Sequence, residues 1–340
     1  MVAPGKRGEP LPLDVEPSGS GFSLTRRLML GGLAAAGIGQ AHAAPMPTIR
    51  LGILPFGTVQ WIADVIARHD LDSAHGIALQ TTRLANTEAG KVALLGGAVD
   101  IAVSDWPFVA AQRSHGGHLT FAPFSSSLGG IMVPADSHVR GLSDLAGLRL
   151  GVAGGPADKS WLLVRAAALR QGIDLARVAK LSFGAPPLLG AMLGQGSLDG
   201  LLTFWNFCAR LQAGGAREAV SVADCARTLG FAAPPVLVGY VFSADWARAN
   251  PTAIAGFLAA TADATQILAT DPTEWQRIRP LMDAPGDPLF TALRTRFLAG
   301  IAQPGAATLQ RQASQLLAIL AADGLQPQTA LPPGVFWQGA

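Results

Sequence analysis

Short apolar segments alternate with longer amphipathic ones from about residue 48 onward. Thr48–Leu54 is a mostly apolar segment whose outer face is interrupted by Arg50. Val59–His69 follows a turn at residues 55–58 and repeats its apolar residues with helical spacing. Short buried strands separated by helices are typical of α/β proteins with a largely parallel sheet. The pattern therefore predicts an α/β fold.

The same order of elements occurs twice, about 100 residues apart. The first half continues with strands at Ala78–Leu84 and Val99–Val103 and helices at Thr87–Leu95 and about Phe108–Ser114. The second half has strands at Leu148–Val152, Val178–Phe183 and Leu198–Thr203, with helices at Ser160–Gln171 and Pro187–Gly194. Two β-α-β-α-β halves predict two lobes.

The last third of the chain is predicted to be helical and to pack on the first lobe. Three of its helices are expected to begin with a proline after a capping residue, at Asn250–Pro251, Asp271–Pro272 and Asp287–Pro288. The predicted helices are Pro251–Leu268, Pro272–Met282, Pro288–Leu298 and Gly305–Ala321. Gly130–Ser137 and Val236–Ser243 are the predicted connections between the lobes.

The N-terminus has the layout of an export signal. Arg26 and Arg27 precede an apolar run, Leu28–Ile38, that is too short to cross a bilayer, and Ala41-His42-Ala43 offers small residues to a signal peptidase. Residues 1–43 are therefore predicted to be a twin-arginine signal peptide with a leader extension, cleaved near Ala43/Ala44. An amphipathic helix or a retained membrane anchor is the alternative.

Composition limits the partners. The predicted leader holds four basic and three acidic residues of the chain's 25 and 23, which leaves 21 and 20 in the mature part. Such a balanced, scattered charge is not typical of nucleic-acid binding. No later apolar run is long and uninterrupted enough to predict a membrane span.

Two cysteines, Cys208 and Cys225, are present in the predicted mature chain. In an oxidising compartment such a pair is most simply a disulfide, and two buried or free thiols are the alternative. His115-Gly-Gly-His118 is the one metal-like spacing, but no Cys, Asp or Glu is close to it in sequence. We expect a solvated loop there, no metal and no cofactor.

Six motifs, in this order, carry a family resemblance. They are Ile49–Ile53, Leu94–Ala102, Ile131–Ser137, Leu142–Val152, Gly196–Gly200 and Val241–Pro251. In these motifs the chain resembles the periplasmic substrate-binding proteins of ABC importers, in the nitrate, taurine and alkanesulfonate group that also includes thiamine-precursor binders. The resemblance extends from about Pro47 to Thr270.

The resemblance implies a type II periplasmic-binding-protein fold, in which two α/β lobes, each a sheet flanked by helices, close on a small molecule about a hinge. Lobe 1 would comprise residues 44–131 and 241–340, and lobe 2 residues 132–240. It also implies a periplasmic monomer that delivers its ligand to an ABC permease in the inner membrane. The chain lacks the phosphate-binding loop of the importer's ATPase.

Ligands of open α/β sheets bind beyond the carboxyl ends of the strands, where helix N-termini point outward. This rule selects loops from both predicted lobes, and these loops contain tryptophans, hydroxyls, amides and a few charged groups. The candidate ligand-binding residues are Phe56, Gly57, Thr58, Gln60, Trp61, Asn86, Thr87, Ser104, Asp105, Trp106, Ser125, Ser126, Ser127, Gly155, Asp158, Lys159, Ser160, Trp161, Phe204, Trp205 and Asn206.

Each group of candidates also has a purely structural interpretation. The tryptophans could fill the core, Asp105 and Asp158 could cap helices, and the three serines at residues 125–127 could form a polar turn. If both carboxylates face the cleft, they favour a cationic or amine-bearing ligand. Helix N-termini and hydroxyls could instead bind a sulfonate or nitrate, so the sign of the ligand's charge stays open.

An enzyme on the same fold is a competing function, because the resembled family has relatives that rearrange pyrimidines with a reactive histidine or cysteine. Here no histidine falls at a predicted strand end, neither cysteine is beside a histidine in sequence, and there is no Gly-x-Ser-x-Gly motif. The sequence therefore favours a carrier over an enzyme. A periplasmic accessory protein that senses a ligand for a membrane partner is a third interpretation.

Overall fold

The structure is a computed structural model that describes residues 46–301 and 304–339. The predicted signal peptide, with its arginine pair and cleavage site, lies outside the described residues. The strands are β1 (Thr48–Ile53), β2 (Ala78–Arg83), β3 (Ile101–Asp105), β4 (Leu119–Ser125), β5 (Gly130–Val133), β6 (Arg149–Ala153), β7 (Lys180–Gly184), β8 (Gly200–Thr203), β9 (Arg217–Ser221) and β10 (Val238–Ser243).

Helices follow most of these strands, and Leu142–Leu145 forms a single 3-10 turn. The helices are α1 (Val59–Arg68), α2 (Leu71–Ala74), α3 (Thr87–Leu95), α4 (Trp106–Ser114), α5 (Lys159–Leu169), α6 (Leu175–Val178), α7 (Pro186–Gly194), α8 (Trp205–Ala213), α9 (Val222–Thr228), α10 (Ala244–Ala249), α11 (Pro251–Thr270), α12 (Pro272–Ile278), α13 (Asp287–Gly300) and α14 (Ala306–Ala322).

Two five-stranded sheets form two lobes, which confirms the predicted fold class. The first sheet has the order β2-β1-β3-β10-β4 and the second β7-β6-β8-β5-β9. In each sheet, parallel strands make one side, and one strand, β10 or β5, pairs antiparallel with both of its neighbours. The chain crosses between the sheets after β4 and after β9, so two connections link the two sheets.

The internal repeat is visible in matching ion pairs. In lobe 1, Arg50 donates from its backbone N to Asp100 Oδ2 at 2.8 Å and from Nη2 to Oδ1 at 2.5 Å. In lobe 2, Arg149 makes the same contacts with Asp199 at the same two distances. Arg149 and Asp199 each come 99 positions after their counterparts in lobe 1. The two lobes therefore use one local design at the start of β1 and β6.

Most of the C-terminal helices pack on the first sheet. Phe257 of α11, Trp275 of α12 and Phe297 of α13 are buried in one cluster with Ile49 of β1. Helix α14 differs, because its buried face, including Leu316, packs with α5 beside the second sheet. This helix therefore lies against the other lobe, unlike α11 to α13.

The three helices predicted to begin with a proline differ in the residue that caps them. Asp271 accepts a hydrogen bond from the backbone N of Thr273 and caps α12 as predicted. The Asn250 side chain makes no capping bond, and Asp287 is already inside α13, where Gly286 occupies the N-cap. Proline at the first turn is compatible with all three starts because its missing N–H has no intrahelical partner there.

Helix α11 has the length and apolar composition of a membrane-spanning helix, which the sequence pattern did not indicate. Among the described residues it is the one helix long and apolar enough to cross a membrane by length and composition alone. Ile254, Phe257 and Leu268 on this helix are buried in the core of lobe 1. A core helix of an α/β lobe needs the same apolar composition.

Candidate functional site

A cavity of about 110 Å³ lies between the two lobes and is lined by both. Thirteen of the predicted residues line it: Gly57, Thr58, Thr87, Ser104, Asp105, Ser125, Ser127, Asp158, Lys159, Ser160, Phe204, Trp205 and Asn206. The rule that ligands meet the carboxyl ends of the strands explains this agreement, because the carboxyl end of β3 and the loops after β1, β4, β6 and β8 all reach the cavity.

Eight further residues line the cavity and were not predicted. They are Leu54, Val59, Glu88, Lys91, Val103, Phe124, Gly129 and Val238. Glu88 and Lys91 lie within α3, which begins at Thr87. Lys91 is four residues after Thr87 and so lies on the same face of the helix, which is the signal that could have found it.

Asp105 combines a structural and a cavity-lining position. Its Oδ1 accepts a hydrogen bond from the backbone N of Phe108 at 2.9 Å, which caps α4. The side chain is buried, and this burial raises the pKa of Asp105, although the nearby ammonium groups of Lys91 and Lys159 oppose the rise. Burial disfavours the charged form of a carboxyl, whereas nearby cations favour it.

Ser104 precedes Asp105 and also lines the cavity. Its side chain is 7% exposed, and its Oγ has no hydrogen-bond partner among the described residues. A buried hydroxyl without a partner is costly, so such a group beside a cavity is a candidate contact for a bound molecule.

Two lysines face the cavity, one from each lobe. Lys91 Nζ lies 2.9 Å from Glu88 Oε1, one turn away on α3. Lys159 Nζ lies 3.4 Å from Asp158 Oδ2 and 5.3 Å from the centre of the Phe204 ring. Burial lowers the pKa of Lys91, but the carboxylates of Asp105 and Glu88 outweigh it and leave the pKa raised. Lys91 is therefore positively charged near neutral pH.

Asp158 begins α5 in lobe 2 as Asp105 begins α4 in lobe 1. Its Oδ1 accepts hydrogen bonds from the backbone N of Ser160 at 2.8 Å and of Trp161 at 3.3 Å. Both aspartates thus cap a helix and line the cavity, and their contact with a ligand stays a prediction.

The serine loop after β4 mostly satisfies its own hydrogen bonds. Ser125 Oγ accepts from the backbone N of Ser127, and Ser127 Oγ donates to the carbonyl of Arg296 at 3.1 Å. Ser126 does not line this cavity, and its Oγ donates to the carbonyl of Gly300. These hydroxyls hold the loop against α13 and offer less to a ligand than the sequence indicated.

Three of the four candidate tryptophans do not line the cavity. Trp61, Trp106 and Trp161 are each 1% exposed and lie in the hydrophobic clusters of the lobes. Trp106 Nε1 donates to the carbonyl of Val236 at 3.1 Å, which directs its indole away from the neighbouring Asp105. Only Trp205 lines the cavity, and it also packs edge-on against Trp61, with ring centres 6.3 Å apart.

The remaining candidates lie beside the cavity without lining it: Phe56, Gln60, Asn86 and Gly155. Phe56 contributes a contact between the lobes, because its carbonyl accepts a hydrogen bond from Asn206 Nδ2 at 3.0 Å. Asn86 caps α3 by accepting from the backbone N of Ala89 at 2.8 Å. The Asn86 side chain is thus occupied in supporting the start of a helix that lines the cavity.

The predicted disulfide is not formed in the structure. Cys208 and Cys225 are both free and buried, and they lie in different hydrophobic clusters on α8 and α9. Burial raises the pKa of Cys208 to about 12 and that of Cys225 to about 11. A disulfide needs β-carbons within bonding reach, and sequence spacing does not supply that information.

The two histidines of the His115-Gly-Gly-His118 segment have separate partners. His115 Nδ1 lies 2.7 Å from the carbonyl of Ala111, and His118 Nδ1 lies 2.5 Å from Asp245 Oδ2. No group of three metal-ligating side chains occurs in the part of the chain that the structure describes.

A second cavity, of about 640 Å³, lies beside the two connections between the lobes. Ser126 and Val236 line it, as do Glu218 and Arg296. Burial raises the pKa of Glu218, while Arg296 opposes the rise. Ser127, Gly129 and Trp205 line both cavities, so the two cavities adjoin at these residues.

Two α/β lobes with a cavity between them form the periplasmic-binding-protein fold, and comparison with solved structures agrees. The chain belongs to the NMT1/THI5-like family, whose model matches residues 73–275. A search of curated proteins finds no match.

Solved structures share the fold over most of the chain. The alkanesulfonate-binding protein SsuA from Xanthomonas axonopodis pv. citri, bound to MOPS, has a TM-score of 0.69 at 18% identity and covers 87% of this chain and 99% of its own. The periplasmic aliphatic sulphonate binding protein SsuA from Escherichia coli has a TM-score of 0.66 at 17% identity, with 87% and 94% covered. The nitrate-binding protein NrtA from Synechocystis PCC 6803 has a TM-score of 0.62 at 14% identity, and the match covers 84% of this chain and 83% of NrtA.

Proposed function

We propose that this protein is the extracytoplasmic solute-binding component of an ABC-type importer. The observation that carries this proposal is the cavity between the lobes, with walls from both. A binding site divided between two lobes couples ligand capture to their closure, because each lobe supplies only part of the contacts. The fold shared with binding proteins of sulfonates and nitrate supports the same function.

Contacts between the lobes support a closed arrangement. Asn206 of α8 donates to the carbonyl of Phe56 at 3.0 Å, and Arg210 of the same helix donates to the carbonyls of Met282 and Asp283. Arg296 of α13 donates to the carbonyl of Trp205 at 3.4 Å. Helix α8 of lobe 2 is thus held against lobe 1 beside the cavity.

The ligand is proposed to be a small molecule: a sulfonate, nitrate or taurine-like solute, or a heteroaromatic precursor. The cavity is small, and its walls combine apolar side chains such as Phe124 and Trp205 with a few polar groups. This mixture is usual for sites that select one small solute by shape and a small number of hydrogen bonds.

The protein is proposed to bind its ligand without changing it. Among the described residues that line the cavity there is neither histidine nor cysteine, the groups that a reactive relative would use. Mass spectrometry of ligand recovered from the protein should return the compound unchanged. A product of different mass would favour an enzyme.

We also propose the cellular setting and the division of the chain. Residues 1–43 would direct export by the twin-arginine route, and the mature monomer would serve an inner-membrane permease from the periplasm. Lobe 1 would comprise residues 44–131 and 241–340, and lobe 2 residues 132–240, with helix α14 of the last segment packed against lobe 2. The double variant Arg26→Lys with Arg27→Lys should leave precursor in the cytoplasm. An exported, processed double variant would reject this route.

A thermal-shift screen of the purified protein tests the binding function. The panel contains sulfonates, nitrate, taurine, pyrimidine precursors and aromatic carboxylates, and calorimetry then measures the dissociation constant of each compound that raises the melting temperature. We expect stabilisation by one chemical class. No stabilisation by any small solute, with no small molecule retained after purification, would contradict the proposal.

A further inference from the structure

The cavity between the lobes has an uneven charge. Its charged lining residues are Glu88, Lys91, Asp105, Asp158 and Lys159, which give three carboxylates against two ammonium groups. Glu88 is 56% exposed, whereas Asp105 and Asp158 are buried, so a bound cation is favoured where a buried carboxylate has no ion-pair partner.

Within this set, the two lysines already have carboxylate partners. Lys91 pairs with Glu88 at 2.9 Å and Lys159 with Asp158 at 3.4 Å. Neither ammonium lies within the 4.0 Å of an ion pair from the carboxylate of Asp105. Asp105, which is 5% exposed, is therefore the buried carboxylate of this set without an ion pair, although both ammonium groups lie near enough to favour its charged form.

The internal repeat indicates that a carboxylate at this position is not required by the fold. The offset of 99 residues that relates the two matching ion pairs also relates Asp105 to Phe204. Phe204 occupies the N-cap of α8 without any side-chain hydrogen bond, as Asp105 occupies the N-cap of α4. One lobe thus begins this helix without a buried charge, so Asp105 is available for another role.

Ser104 provides an independent sign of a ligand at this point. Its Oγ is buried beside Asp105 and has no hydrogen-bond partner among the described residues. A hydroxyl oxygen and a carboxylate side by side match the several N–H donors of an ammonium group.

We propose that the ligand is a small organic solute that carries a protonated amine, and that Asp105 and Ser104 bind this ammonium group in the cavity between the lobes. The rest of the ligand faces the apolar walls formed by Phe124 and Trp205. This inference rests on the proposed solute-binding function and names the ligand class of the same site.

Matched pairs of probes test the inference on the unmodified protein by titration calorimetry. One pair is 2-aminoethanesulfonate and 2-hydroxyethanesulfonate, a second is benzylamine and benzyl alcohol, and nitrate and methanesulfonate serve as anions without an amine. We expect the amine of at least one pair to bind at least about tenfold more tightly than its hydroxyl analogue, because it gains a charged hydrogen bond with Asp105.

The variant Asp105→Asn removes the charge but retains an oxygen that can cap α4. It should weaken binding of the amine at least about tenfold and change binding of the hydroxyl analogue much less. Asp271→Asn makes the same substitution at an exposed helix cap outside the cavity and should change neither. If Asp105→Asn does not fold, Ser104→Ala supplies the second test and should weaken amine binding about threefold or more.

The outcomes separate the inference from the function that it rests on. Tightest binding of nitrate, methanesulfonate or a hydroxyl analogue would overturn the inference and leave solute binding intact. Unchanged amine affinity in a folded Asp105→Asn protein would also overturn it. Failure of every probe, together with failure of the wider screen, would contradict the proposed function and this inference together.

Discussion

Arg210 is expected to control how tightly the two lobes close. This arginine lies on α8 of lobe 2, and its guanidinium donates to two backbone carbonyls of lobe 1, at 2.8 Å to Asp283 and at short distance to Met282. Its side chain is 24% exposed. The variant Arg210→Met keeps most of the aliphatic stem and removes these two hydrogen bonds of Arg210.

The size of the effect follows from these two contacts. A hydrogen bond made by a charged donor contributes about 1.5–3 kcal/mol, and a neutral one about 0.5–1.5 kcal/mol. The guanidinium returns to water when the lobes separate, so we take about 1–1.5 kcal/mol per bond and about 2–3 kcal/mol in total. The Asp283 carboxylate adds little, because it is 3.8 Å away and 91% exposed.

Loss of about 2–3 kcal/mol would lower the ratio of closed to open protein by roughly 30- to 140-fold. If the free protein is mostly open, the dissociation constant of the ligand rises by the same factor, because the ligand must then supply the closure. Calorimetry with the tightest compound of the screen measures this change, and small-angle scattering follows compaction.

Arg227→Met is the matched control for Arg210→Met. Arg227 is 66% exposed on α9 and pairs with Asp224 on its own helix, so its loss breaks no contact between the lobes. Ligand affinity and compaction should stay as in the unmodified protein. If Arg210→Met also binds as tightly and compacts as fully as the unmodified protein, the contact with residues 282–283 does not govern closure.

Three other predictions concern the core and the surface. Trp106→Ala should lower the free energy of unfolding by about 3–5 kcal/mol with little effect on ligand affinity. Trp205→Ala should weaken ligand binding, because Trp205 lines the cavity. Equal effects of the two variants on ligand affinity would contradict this site. Cys208 and Cys225 should stay unreactive toward thiol reagents in the native state at pH 8 and react after unfolding, because burial raises both pKa values. If a reducing agent lowers the melting temperature, the two cysteines are not free thiols. The hydrogen bond from Arg149 lowers the pKa of Asp199 from 3.8, so Asp199→Asn should lower the free energy of unfolding by about 1 kcal/mol at pH 7. This difference from the unmodified protein should disappear as the pH falls through the lowered pKa. A difference that persists in acid would refute the prediction.

The sequence predicted best what local chemistry determines. Helix α3 has the predicted limits, Thr87 to Leu95, because Asn86 caps its start and glycines follow its end. The repeated order of strands and helices predicted two sheets, and the strand ends then indicated which loops meet. Thr58, Asp105 and Trp205 line the cavity for that reason.

Other features depend on the direction of side chains and on tertiary distance. Asp105 and Trp106 are neighbours in sequence, yet one lines the cavity and the other fills the core, and no periodicity separates them where a strand becomes a helix. Lys91 was missed because the strand-end rule stops at the first turn of α3. Cys208 and Cys225 were paired by compartment and number, but the packing of α8 and α9 places them in separate clusters.

A crystal structure of the protein with the tightest compound of the screen would show where the ligand binds. We predict electron density for the compound between the lobes, in contact with Ser104 and Asp105 of lobe 1 and with Trp205 of lobe 2. Density confined to the second cavity beside Glu218 and Arg296, or to the outer surface of one lobe, would contradict this prediction.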